Sequence, residues 1–214
     1  MDQIPAGILT VFLAFGGLLV SNKMRDRGFQ TRWTRRLPGI TGGGAYLVAV
    51  LWLDVWTAVG IAASLTVMIA ILRLALGHQL RGVTSEGSSQ VWAEITYPAA
   101  GTLSLVVGWA LLGDKWLAFT PIAFMAWGDG AGGLLREILN WRRRVSARWP
   151  SVVMLGACLA SAAFYQPYWV GAAAAVTAAG AEYYSPRIPW LRDDNLSVVV
   201  ASLAVMSFLT IALG

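Results

Sequence analysis

The stretch AFMAWGDGAGGLLREI, Ala123 to Ile138, sets Asp129 among Gly128, Gly130, Gly132 and Gly133 inside an otherwise apolar run. A carboxylate in such a run is costly unless it is paired or hydrated, so Asp129 is a functional candidate by its position. A second cluster, EYYSPRIPWLRDDNLSVVV, carries Glu182 and then Asp193, Asp194 and Asn195 at the head of another apolar run. Asp and Asn cap helices, which accounts for Asp194 or Asn195 alone, but two aspartates and an asparagine exceed what one cap needs. Together with Asp129, Asp194 and Asn195 supply hard oxygen ligands that suit Mg²⁺ bound beside substrate phosphates. A third cluster is basic: Arg32, Arg35 and Arg36 in RWTRRLPGITGGG, and Arg142, Arg143, Arg144 and Arg148 in NWRRRVSARW. Arginine forks match phosphate oxygens, and a Gly-rich helix start offers free N–H groups to an anion. The plainer reading of most of these arginines is that they fix topology and touch lipid headgroups; Arg35 and Arg36, next to the glycines, are the exceptions.

The elements that must position these groups are membrane helices. Of 214 residues 57% are hydrophobic and 13% charged, against roughly 25% charged in a soluble domain. The mean hydropathy is +0.62. Apolar stretches close to the ~20 residues that cross a bilayer fall at roughly 5–21, 38–54, 56–76, 91–112, 116–139, 151–166, 168–184 and 196–213. The expected fold is therefore all-α, a polytopic membrane protein of about eight transmembrane helices in one bundle, read as a single domain over 1–214. The first run has no basic residue before it and a basic segment after it, the reverse of a secretory signal, and reads as a retained span. Cys158 is the lone cysteine, which excludes an internal disulfide and a cysteine-built zinc site.

Sidedness follows from charge. Tight turns are expected around 54–56, 113–115 and 166–167, and longer polar connections at 22–37, 77–90, 140–150 and 185–195. If the chain alternates sides, fifteen of the sixteen Lys and Arg lie in or beside the longer connections and only Lys115 opposite. Positive residues stay in the cytoplasm, so the longer loops are cytoplasmic and both termini are not. The pI of 9.8 reflects those loops and calls for no nucleic-acid partner. On this topology Asp129 lies about ten residues, or about 15 Å, below the exit at Asn140. Such depth implies a polar cavity or a broken helix. The alternative is a small-residue packing seam whose aspartate pairs with an arginine. Glu94, near Tyr97 and Pro98, is expected to face the cavity and to pair with Arg35, Arg36 or Arg81. His78, in a loop with Glu86, reads as a loop residue or a general base.

In their order these motifs resemble the family of CTP-dependent membrane lipid kinases: dolichol kinase, phytol kinase and the fungal CTP-using diacylglycerol kinase. The matching places are Arg35 and Arg36 opening an early helix, GDGAGG with Asp129, the loop around ARWPSV, and Glu182 before DDNLSVVV. The chain departs from the family at Gly39, where a histidine is common, near Arg136, where a glycine is common, and in the nucleotide loop, of which Trp149 alone survives. Either Arg142 to Arg148 replace that loop's grip or the donor has changed.

The resemblance implies an enzyme that transfers a phosphoryl group from a nucleoside triphosphate, CTP in the family, to a polyprenol, phytol-like or diacylglycerol acceptor. It implies Mg²⁺ on Asp129, Asp194 and Asn195, and Glu182 or Glu94 orienting a ligand or taking the hydroxyl proton. The nucleotide would meet Arg35, Arg36, Gly128, Gly130, Arg142, Arg143, Arg144, Arg148 and Asn195, with the site facing the cytoplasm. Alternatives are cytidylyl transfer onto a phospholipid, a small transporter, and a non-catalytic relative. The topology is checked by labelling single cysteines in a Cys158→Ala background: Ser85→Cys and Ser146→Cys should react from the cytoplasmic side only, Lys115→Cys from the other only, and the opposite pattern contradicts the reading.

Overall fold

The computed structural model describes residues 2–75, 93–141, 148–184 and 194–213, and every regular element among them is helical. Three helices, Gln3–Asp26, Val55–Leu74 and Asn195–Leu213, are long and apolar enough to cross a membrane, and Trp149–Phe164 is a shorter apolar helix. His78, Arg81, Glu86, Arg142, Arg143, Arg144 and Asp193 lie outside the described residues, as do the side chains of Arg32, Arg148 and Asp194. The helices gather into two compact units, Met1–Leu103 and Ser104–Gly214.

In the first unit, α1 (Gln3–Asp26) outruns its apolar stretch because SNKMRD extends it, with Lys23 and Arg25 in its last turn, where the helix dipole favours cations. Gly28, at φ 85°, then turns the chain into a short α2 (Thr31–Thr34). Ser21 ties the two by donating from Oγ to the Thr34 carbonyl at 2.9 Å. α3 (Arg36–Trp52) packs closely on α1, with Gly17 facing Thr41. Asp54 caps α4 (Val55–Ala70): its Oδ1 accepts from the Trp56 and Thr57 amides at 3.0 Å each, and its Oδ2 from the Thr57 hydroxyl at 2.6 Å. The Thr57 hydroxyl and amide hydrogen bonds hold this carboxyl below the usual aspartate range. α4 continues as a π-helical turn, Ile71–Ala75.

α5 (Ala93–Ser104) is knitted to α3 by two tyrosines that trade places. The Tyr97 hydroxyl donates to the Gly39 carbonyl at 3.0 Å and lies over Gly42. The Tyr46 hydroxyl donates to the Pro98 carbonyl at 3.2 Å and lies over Gly101. A buried phenol needs such a partner, and the two glycines make room for the rings.

In the second unit the chain opens on a π-helical run, Leu105–Leu111, closed by Gly113 at φ 76°. Asp114 caps α6 (Lys115–Ala123), accepting from the Trp116 and Leu117 amides at 2.8 and 3.1 Å. A π-helical turn, Phe124–Asp129, joins α6 to α7 (Gly130–Trp141). The sequence reading offered a cavity or a broken helix here, and the helix is widened and continuous. Pro121 lies just before the turn and lacks the N–H that an α-helix would use at that point. α8 (Arg148–Ser161) ends in a 3₁₀ turn, Ala162–Phe164, and is followed by α9 (Tyr168–Tyr184) and α10 (Asp194–Leu213). α10 packs on α9, on α6 and on the π turn that ends at Asp129. Among the described residues, each long apolar stretch read from the sequence thus falls in helical structure.

Glycines in this unit divide by what surrounds them. A Cβ at Gly108 would stand 2.6 Å from the backbone N and Cα of Ala118, whereas one at Gly156 meets open space. Gly108→Ala should therefore destabilise by about 1–3 kcal/mol. Gly156→Ala should stabilise by about 0.5–1 kcal/mol through helix propensity. Unfolding in detergent measures both, and equal effects would contradict this packing.

Candidate functional site

In the first unit, Arg35 stands at the helix-start position and Arg36 is the first residue of α3, both partly buried. The anion cradle expected at a Gly-rich helix start is not what Gly42, Gly43 and Gly44 form. Pro38 is tolerated in the first turn, where its missing N–H has no partner in any case, so α3 begins ahead of those glycines and encloses them. Gly42 instead receives the Tyr97 ring, and Gly42 and Gly43 are buried.

Glu94 is 7% exposed, in the first turn of α5. Its Oε2 lies 2.7 Å from Nε of Arg73, on the π turn that ends α4, with side chains 3% and 7% exposed respectively. Arg73, which the sequence reading did not propose as a partner, thus forms a closed ion pair with it. The signal was available: opposite charges near the facing ends of two helices joined by one connection. Pro98 also matters locally, since it leaves the Glu94 carbonyl without its i+4 amide donor.

In the second unit, Asp129 ends the π turn and is partly exposed. Gly128 and Gly132 pack against α8: a Cβ at Gly128 would strike the Cys158 sulfur, and one at Gly132 would come within 2.8 Å of the Pro150 carbonyl oxygen. These two glycines fit the packing-seam reading. Gly130 has open space around its Cβ position, so it alone of the quartet's mapped members leaves room for a ligand.

Seven residues beyond Asp129, Arg136 forms an ion pair with Oε1 of Glu182 on α9. Glu182 is buried, its side chain 3% exposed, whereas the Arg136 side chain is 41% exposed. The second carboxylate oxygen of Glu182 is buried with no hydrogen-bond partner among the described residues. Asn195 is the second residue of α10 and partly buried, and Asp194 opens that helix as the sequence suggested.

One unit therefore carries Asp129, Glu182, Asn195 and the backbone of Asp194, on helices that pack together. Among the described residues no group of three or more His, Cys, Asp or Glu gathers as a metal cage. Mg²⁺ needs no such cage, because one or two carboxylates with substrate phosphates and water complete its shell. A partly exposed Asp129, packed against the helix that Asp194 heads, fits that demand. Comparison with family models, with curated proteins and with solved structures finds no match to this chain.

The closed pair yields a direct test. Glu94→Gln should strand the Arg73 charge and destabilise the protein by roughly 3–5 kcal/mol, with most of that recovered in the double variant Glu94→Gln, Arg73→Met. Denaturation of the purified protein in detergent measures it; a single variant as stable as wild type would remove the pair from the account.

Proposed function

We propose that this chain is a membrane lipid-alcohol kinase that moves a phosphoryl group from a nucleoside triphosphate, CTP by resemblance, to a polyprenol-, phytol- or diacylglycerol-like acceptor. The observation that carries the reading is Asp129: a carboxylate kept partly exposed at the end of a π-helical turn, deep in an apolar helix that packs against α10. π turns within α-helices occur frequently at functional sites. In this reading the chain crosses the membrane eight times with both termini outside, and the site opens to the cytoplasm.

Asp129, Asp194 and Asn195 would hold Mg²⁺, which when bound neutralises phosphate charge. The resemblance assigns Arg35 and Arg36 to the triphosphate, with Arg142, Arg143, Arg144 and Arg148 in place of the family's loop. Glu94 and Glu182 each have a carboxylate committed to an arginine, which suits orienting a cation better than taking a proton. Little is lost thereby, since phosphoryl transfer has a loose transition state and depends on positioning and charge stabilisation. The acceptor hydroxyl oxygen forms the new P–O bond as the bond to the leaving nucleoside diphosphate breaks, and the hydroxyl proton passes to solvent or phosphate. Cytidylyl transfer would use similar groups but release pyrophosphate and a CDP-lipid.

Purified protein offered labelled CTP, ATP, GTP or UTP with a panel of lipid alcohols should yield a lipid phosphate and a nucleoside diphosphate. Asp129→Asn and Asp194→Asn should each slow the transfer about 100-fold or more. Pyrophosphate release would indicate the cytidylyl reaction, equal rates in the variants would remove the metal assignment, and no transfer from any donor would overturn the kinase reading.

A further inference from the structure

The chain contains two described Arg–Glu ion pairs that differ in one respect. In Arg73–Glu94 both side chains are buried, at 7% and 3% exposure. In Arg136–Glu182 the glutamate is equally buried but the arginine is 41% exposed. A pair that only staples helices gains most when both charges are closed off from solvent, as in the first. In the second, a carboxylate is desolvated, with one oxygen left without a hydrogen-bond partner among the described residues, to hold a guanidinium whose far side stays open. A guanidinium has five N–H donors in a rigid fork, and the one contact to Glu182 fixes its plane while leaving most of them directed elsewhere.

We propose that Arg136 is a phosphate-binding residue, oriented by Glu182, that grips phosphoryl oxygens through its open side. Glu182 is then a positioning residue. Arg136 stands seven residues from Asp129, about two helical turns or roughly 10 Å along the helix. A metal-binding carboxylate and a fixed cation at that separation can hold two parts of one polyphosphate. The identity of the anion as the nucleotide's rests on the kinase reading; the phosphoryl chemistry is shared with an anionic lipid headgroup, and the test separates the two.

The experiment measures binding of inorganic tripolyphosphate and of CTP to the purified full chain in uncharged maltoside micelles, and of phosphatidylglycerol doped into those micelles. The variants are Arg136→Gln, Arg136→Lys and Glu182→Gln, with Arg25→Gln, an arginine in the last turn of α1, as a control. Arg136→Lys retains a charge for Glu182 and so keeps the fold, yet loses the fork. The expected result is tripolyphosphate and CTP binding weakened about 10- to 100-fold in Arg136→Gln, less in Arg136→Lys and Glu182→Gln, and not in Arg25→Gln. In the transfer assay the same variants should raise KM for the nucleotide while leaving KM for the lipid unchanged. Wild-type affinity in Arg136→Lys and Glu182→Gln would overturn the proposal, as would an effect confined to phosphatidylglycerol. Tripolyphosphate binding that depends on Arg136, without transfer to any lipid, would uphold the anion site while overturning the kinase reading.

Discussion

A charge removed from water into apolar helix packing must find an opposite charge or a polar cavity, and this chain is organised around that requirement. Glu94 and Glu182 are among the few buried polar residues, and each meets an arginine. The pairs differ in how completely they are closed, and that difference separates a structural tie from a presented cation. Asp129 sits partly exposed where the helix widens.

Around these groups the packing relies on small residues and on carbonyls doing second duty. The Pro98 carbonyl accepts from both Tyr46 and Thr102. The Ser104 hydroxyl donates to the Ala118 carbonyl at 2.6 Å, beside the close approach that Gly108 permits. The Cys158 sulfur rests against Gly128 and the Phe124 carbonyl, so the wall behind Asp129 is built from α8. Dispersion and hydrogen bonds to carbonyls hold such helices together because lipid offers no hydrophobic gain for packing them.

The sequence made the helical runs legible, since apolar stretches of near-bilayer length bounded by polar connections leave few other options. It also placed Asp194 and Asn195 at the head of the last helix. Asp54 and Asp114, in two of the expected tight turns, are capping residues, a role that Asp before an apolar run already suggests. The glycines of α3 were misplaced because Pro38 was not recognised as a first-turn proline. The π turns and the Arg136–Glu182 pairing were not legible: they depend on which faces of separate helices meet, and periodicity along one chain carries no such information.

The central claim is that Asp129 and Asp194 hold one divalent cation between them. Electron paramagnetic resonance of Mn²⁺ titrated into the purified protein with CTP tests it most directly. One bound Mn²⁺ per chain is expected, with that binding weakened in both Asp129→Asn and Asp194→Asn; binding that survives unchanged in either variant would contradict the claim.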